Sequence, residues 1–225
     1  MFFFYYDPYV AIIGDIKNSR NITERKDVQK KLRDVLQHVN EIYVDDIAAK
    51  FMITLGDEFQ GLLYNGRNVF NIIEYIQQEM YPVAIRFGIG IGEITTDIIS
   101  EMAIGADGPG YYNAREAIEE LKSDEQKNKT QASDIKVKIQ DDKNSVGPML
   151  NAIFMLIDII KSNWTERQRE IIWELRKNNS SQTECASKFE ITQSSVQRTL
   201  NSGNYYAYRE AIDTINNVFE EVDRK

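Results

Sequence analysis

The period of the apolar positions changes several times along the chain, and each change marks an element. "YVAIIG" (Tyr9 to Gly14) is an unbroken apolar run ending at Gly-Asp, the pattern of a buried strand. In "TERKDVQKKLRDVLQHVNEIY" the apolar residues Val28, Leu32, Leu36 (or Val35), Val39 and Ile42 recur at helical spacing. "KFMITL" and "EFQGLLY" then flank Gly56-Asp57, and Gly-Asp between two apolar runs is a hairpin signal. A second amphipathic helix carries Val69, Ile72, Ile73, Ile76 and Met80. After Pro82, Val83, Ile85, Phe87, Ile89 and Ile91 alternate with Ala84, Arg86, Gly88, Gly90 and Gly92. One face of that strand is apolar and the other nearly bare. Three glycines weaken a strand, so the bare face implies close approach by another backbone or by a ligand, or simply tight packing.

The order βαββαβ predicts an α+β fold, a ferredoxin-like sandwich with both helices on one face of the sheet. A further helix, "NAREAIEELK", a polar stretch from Ser123 to Ser133 expected as a mobile surface loop, and a short strand, "DIKVKIQ", extend it. "MLNAIFMLIDII" (Met149 to Ile160) is too short to cross a bilayer, carries Asn151 and Asp158, and reads as a buried helix. From Trp164 the pattern is helical throughout. Thr165 with Gln168 three residues on is a capping-box start. "SQTECASKF", a turn at "EIT" and "QSSVQRTL", with Thr192 as N-cap, give two short helices around a tight turn, a helix-turn-helix pattern. A last amphipathic helix repeats Tyr208, Ile212, Ile215, Phe219 and Val222 and needs a partner surface in this domain, the first one or another subunit. Two domains are expected, 1–148 and an all-α 149–225.

Composition narrows the chemistry. Cys185 is the only cysteine of 225 residues, which excludes a disulfide framework and a thiolate metal cluster and makes a reducing, cytoplasmic setting the default. The N-terminal "MFFFYYDPYV" has no basic region, and Asp7 and Pro8 interrupt it, so it reads as an aromatic lead-in to the first strand rather than as a signal peptide or a membrane span. His38 is the only histidine and lies away from the acids, which removes Ser-His and Cys-His hydrolase chemistry. Net charge is -8, and neither half has the basic character of a protein built to coat nucleic acid.

The acids are more informative. In a ferredoxin-like sheet the first and third strands are antiparallel neighbours, so Asp15 at the end of one comes beside Asp57 at the beginning of the other. Mg²⁺ takes one or two carboxylates, keeps some waters and fills its remaining positions with phosphate oxygens, the chemistry of a nucleoside triphosphate site. Asp107 and Gly108-Pro109-Gly110 precede the "NAREAIEELK" helix, where backbone N–H groups would face an anion, or where the three residues form a plain turn.

"AIIGDIKNSR", "ITLGDEFQGLL", "IRFGIGIGEI" and "GADGPGYYNAREAIEEL", taken in this order, resemble the catalytic domain of class III nucleotidyl cyclases, and "LGDEF" is similar to the signature hairpin of diguanylate cyclases. With its helical tail the whole chain resembles the SatD family, a group associated with acid-tolerance gene clusters. The resemblance implies a homodimer with sites shared between subunits, and Asp15 and Asp57 as the metal-binding carboxylates. It also implies Ile16 as backbone metal ligand, Ile16 and Lys17 beside the nucleotide, and Arg115 as the arginine aimed at the triphosphate. The asparagine that cyclases place four residues before that arginine would be Tyr111, with Asn113 only two before it. The base-reading lysine would be Ile53, and Leu55 replaces the first glycine of the diguanylate cyclase signature.

The tail is similar to the helix-turn-helix of sigma-factor region four and of response regulators. Gln193, Ser194, Ser195, Gln197 and Arg198 would then lie at the groove-facing end of the second helix, where Gln bonds adenine and Arg bonds guanine. Trp164 to Gly203 holds six Lys and Arg against five Asp and Glu, so such binding would be weak and salt-sensitive, or the module would serve protein contact instead. Two functions are carried forward. One is a regulator in which nucleotide or Mg²⁺ binding biases a DNA-binding tail; the other is a divergent nucleotidyl cyclase or phosphotransferase that dimerises through its C-terminal helices.

Overall fold

The apolar run from Tyr9 has no polar face to offer water, and it becomes the central strand, β1 (Tyr9–Ile16), of a computed structural model that describes residues 6–128, 133–177 and 180–223. After it come α1 (Arg25–Ile42), β2 (Ile47–Leu55), β3 (Glu58–Leu63), α2 (Val69–Met80), β4 (Ile85–Gly92), α3 (Pro109–Asn128) and β5 (Ile135–Ile139). The strands form one sheet of order β2-β3-β1-β4-β5. β1 lies antiparallel between β3 and β4, as a split β-α-β arrangement requires, and β5 adds parallel to β4. β2 begins at Ile47, three residues before the start its pattern suggests, because register shifts along its pairing with β3 break the clean alternation. Gly56 turns the β2–β3 hairpin at φ +65°, a left-handed conformation that favours glycine.

Each face of the sheet has its own core. Val10, Ile12 and Gly14 share one face with Phe59 and Phe87, whose rings meet edge to face at 6.0 Å. Gly14 makes room for them: a Cβ there would lie 2.0 Å from the Phe59 ring. On the other face Ala11 and Ile13 pack with Leu62, Tyr111, Ala114 and Ile118. The bare side of β4 is filled by the backbone of α3. A Cβ on Gly90 would fall 1.9 Å from the Gly110 carbonyl oxygen, and one on Gly88 2.2 Å from that of Ala114.

Two expectations are corrected. The polar stretch from Ser123 is helical to Asn128, because ion pairs hold it: Asp124 to Lys136, and Glu125 to Lys17 and Arg86. The remainder of that expected loop, 129–132, lies outside the described residues, as does the lead-in at 1–5. The run from Met149 forms α4 (Val146–Ser162), but only part of it is buried. Leu150, Phe154 and Ile157 are buried, whereas Met149, Leu156 and Ile159 are exposed.

Both outer strands are met by an asparagine. On β2, Phe51 N–H donates to Asn40 Oδ1 at 2.8 Å while Asn40 Nδ2 donates to the Phe51 carbonyl at 2.9 Å. On β5, Asn151 makes the same pair of bonds with Val137, at 2.8 and 3.0 Å.

The chain divides into two compact units, Met1–Met155 with Ile215–Lys225, and Leu156–Thr214. The second contains α5 (Glu166–Lys177), α6 (Gln182–Lys188), α7 (Gln193–Ser202) and the first part of α8 (Tyr205–Glu220). The capping box expected at Thr165 is present: Thr165 N–H donates to Gln168 Oε1 and Gln168 N–H to Thr165 Oγ1. Trp164 anchors this unit, donating from Nε1 to the Gly203 carbonyl at 2.7 Å and meeting Tyr208 edge-on. The last turns of α8 find their partner surface in the first unit, where Gly66 N–H donates to the Val222 carbonyl. Among the described residues no helix is long and apolar enough to cross a membrane.

Candidate nucleotide and metal site

Register brings the acids of β1 and β3 to one end of the sheet. Leu55, Glu58, Asp15 and Arg86 are successive partners across β2, β3, β1 and β4, so Glu58, Asp15 and Arg86 stand in one row on one face. Next to Asp15 the strand ends, and Ile16 N–H donates to the Asp57 carbonyl at 3.2 Å. Asp15, Ile16 and Asp57 line a cavity of about 300 Å³ together with Asn18, Ser19, Arg20, Asn21 and Arg86. Asn18 has positive φ, and the chain makes one 3-10 turn over Ser19–Asn21 at the rim.

Asp15 is buried and bonded on both oxygens. Arg86 Nη1 donates to Oδ2 at 2.6 Å, and Lys122 Nζ, from α3, lies 3.0 Å from Oδ1. Arg86 Nη2 also donates to Glu125, whose other oxygen meets Lys17 Nζ at 2.5 Å; Lys17 in turn pairs with Asp134. Burial works against the charge on Lys17 and Arg86, but their carboxylate partners outweigh it and hold both above their ordinary values. Burial likewise pushes the Glu125 carboxyl up, yet hydrogen bonds from Arg86 and Lys17 prevail and keep it below the usual glutamate range. Three acids and three bases thus form one charge-balanced chain from Asp15 to Asp134.

The other residues singled out in the sequence are dispersed. Arg115, half-exposed on α3, reaches Glu58 at 3.3 Å, one strand over from Asp15. Asn113 Nδ2 is spent on the Ile91 carbonyl at 3.1 Å. Tyr111 lies in the core beneath α3, where burial pushes its phenol up and its hydroxyl has no hydrogen-bond partner among the described residues. Asp107 accepts from Tyr112 Oη beside the start of α3. That is the Gly92–Tyr9 end of the sheet, six residues along β1 from Asp15, or about 20 Å at ~3.3 Å per residue. Sequence reasoning missed Arg86, Lys122, Glu125 and Asp134. Arg86 did leave a signal, as the one charged residue on the glycine face of its strand.

The donors at this end suit a hard cation in kind: two carboxylates and the Ile16 carbonyl. Among the described residues no three His, Cys, Asp or Glu side chains gather to hold a metal, so the site offers two acids, one of them already paired.

In the second unit, Ser181 and Glu184 form a capping box on α6, and Thr192 caps α7 by accepting from Ser195 N–H. Cys185, Ala186 and Val196 are buried where the two helices meet α5. Of the outward residues on α7, Gln193, Ser194 and Arg198 are exposed. The Ser194 and Ser195 hydroxyls bond Thr192, and Gln197 is tied to Gln182, Asn201 and Tyr206.

Compared with known proteins, residues 9–218 match the family model described as SatD family. No curated protein matches the sequence. Solved structures that resemble it include the non-canonical dimeric guanylyl cyclase domain of the RhoGC fusion protein from the aquatic fungus Blastocladiella emersonii, at 17% identity and a TM-score of 0.38, covering 50% of this chain and 73% of that one. Another is the guanylate cyclase domain of RhGC from Catenaria anguillulae in complex with GTP, at 15% identity and a TM-score of 0.35, covering 50% and 72%.

Proposed function

The chain belongs to the SatD family, and from that premise we propose that the Asp15–Asp57 end of its sheet binds a nucleoside triphosphate as its magnesium complex, in a domain of nucleotidyl-cyclase type. The observation that carries this reading is the shared cavity: two acids 42 positions apart in sequence line one cleft with Arg20 and Arg86. Asp15, Asp57 and the Ile16 carbonyl would hold the ion, which when bound offsets phosphate charge and lowers the pKa of an attacking hydroxyl. Arg20 and Arg86 supply positive charge for the phosphates, and Arg115, near Glu58, is the further cation for charge that develops during transfer. The reaction class is nucleotidyl or phosphoryl transfer. With Asn113 bonded to Ile91 and Tyr111 in the core, neither supplies the cyclase asparagine, so turnover is expected to be slow. A homodimer sharing its sites, as the cyclase resemblance implies, is part of the proposal.

Calorimetry with ATP and GTP, with and without Mg²⁺, on the wild type and on Asp57→Ala tests it. Metal-dependent heat lost in the variant is the expected result, and no heat in any combination would make Leu55 to Leu63 a structural hairpin.

A second reading concerns the tail. α7 exposes Gln193, Ser194 and Arg198 while burying Val196 and Leu200, the disposition of a helix that enters a DNA groove. On this reading α6 and α7 are a DNA-binding helix-turn-helix biased by the nucleotide site. A mobility shift on genomic fragments, weakened by salt and by Arg198→Ala and altered by nucleotide, is expected; retention of no fragment even at low salt would leave protein contact as the role of these helices.

A further inference from the structure

Both oxygens of Asp15 already face a cation. Arg86 Nη1 and Lys122 Nζ occupy Oδ2 and Oδ1, and the carboxylate is buried. A bare divalent cation approaching Asp15 therefore meets two positive groups within 3.0 Å of the oxygens it needs. A bare polyphosphate entering the same cleft finds Arg20, but Arg86 is committed to Asp15 and the Asp57 carboxylate opposes it. Like-charge approach beside the buried Asp15 is costly in both cases. A ligand that brings both charges together offsets both costs.

We infer that metal and polyphosphate enter this site together, by an exchange in which Asp15 gives up Lys122 and Arg86 to the phosphate oxygens and takes the metal in their place. The inference rests on the nucleotide-binding reading above and adds to it the release of Lys122 and Arg86 from Asp15, which couples metal and polyphosphate binding.

The two cations are suited to unequal parts. Lys122 is held on the surface of α3 with its side chain 41% exposed, and among the described residues no other ion pair restrains it, so it can swing away at little cost. Arg86 is buried and keeps Glu125 on its second terminal nitrogen. It can turn from Asp15 without leaving the cleft, and its Nε–H, buried without an acceptor, has hydrogen-bonding capacity to spare. Glu125 and Lys17 continue the balanced chain, so the exchange leaves no charge behind them unpaired.

Positive coupling between two ligands is reciprocal, and Lys122 is the group that transmits it here. Mn²⁺ serves as probe for the metal, read by the loss of its free-ion resonance on binding the full chain, and ATP by calorimetry. Wild type should bind Mn²⁺ alone weakly. Lys122→Gln should bind Mn²⁺ alone about tenfold more tightly, because a competing charge is gone, and should lose a similar factor of the coupling between Mn²⁺ and ATP. Lys31→Gln, the same change of net charge on the exposed face of α1, should do neither, and circular dichroism checks that both variants fold. Equal Mn²⁺ affinity in wild type and Lys122→Gln, with the metal–ATP complex still bound, would overturn the exchange and leave the nucleotide reading standing. No binding of Mn²⁺, ATP or their complex by any of the three proteins would overturn both.

Discussion

Gly90→Ala sets the closest contact in the sheet against a single methyl group. The added Cβ would lie 1.9 Å from the Gly110 carbonyl oxygen, 2.4 Å from Ala114 N and 3.1 Å from Ala114 Cα. All three are backbone atoms of one helix, so no rotamer can relieve the clash and α3 must move outward as a body. Overpacking a well-filled core costs ~1–3 kcal/mol, and contacts with backbone belong at the upper end. Against this, replacing glycine restricts the unfolded chain and returns ~0.4–1 kcal/mol. The net loss is about 2 kcal/mol, equivalent to a fall of roughly 4–8 °C in Tm for a unit of this size. Urea titration followed by circular dichroism measures it. Gly110→Ala is the contrast, since its nearest neighbour, the Gly92 oxygen, would be at 3.3 Å. It should change stability by less than about 1 kcal/mol. A loss below about 1 kcal/mol for Gly90→Ala, or equal losses in the two variants, would refute the idea that these glycines exist to admit α3.

Two further outcomes follow from the polar contacts. Glu125, and Glu120 of α3, where hydrogen bonds from Lys138 and Lys136 outweigh burial, have folded-state pKa values below their unfolded ones, so the stability they contribute is complete above the ordinary glutamate range, about 4.3, and is lost as pH falls through the depressed values. Urea midpoints should hold from neutral pH to about 5 and drop below it, and Glu125→Gln should lower the midpoint at pH 7 while flattening the acid limb; parallel curves would exclude Glu125 as a source of the acid sensitivity. Trp164→Phe removes the indole N–H that donates to the Gly203 carbonyl and should cost about 1–2 kcal/mol. The loss should register as faster amide exchange across α5 and α7, and unchanged exchange there would mean that Tyr208 alone holds the anchor.

Much of the sheet could be read from the sequence because its signals are local or topological. Gly56-Asp57 marks a turn that needs a left-handed residue, and the split β-α-β order alone puts Asp15 beside the hairpin. The bare face of β4 announced a close neighbour without naming it, since nothing local says whether glycine yields to a ligand or to a helix. The charge chain was illegible for a different reason. Lys122 and Glu125 lie 107 and 110 positions from Asp15, and the polar run that contains Glu125 has no apolar periodicity to show that it is helical. Its order comes from ion pairs with Lys17 just after β1, Arg86 of β4 and Lys136 of β5, which only the assembled fold supplies. The exposed side of α4 was hidden likewise, because twelve mostly apolar residues in a row do not say which of them the core accepts.

Asn40 and Asn151 do more than tie helices to the sheet. A primary amide presents the same donor and acceptor as a peptide group, so each side chain imitates one residue of a sixth strand and terminates the ladder at the middle of its outermost member. A newcomer strand at either border would have to evict two satisfied hydrogen bonds before forming its own. Sheet-to-sheet continuation through Phe51 or Val137 is thereby disfavoured, both as a route to aggregation and as the seam of a dimer. Two copies of this chain would have to meet through faces and helices instead, leaving each five-stranded sheet complete in itself.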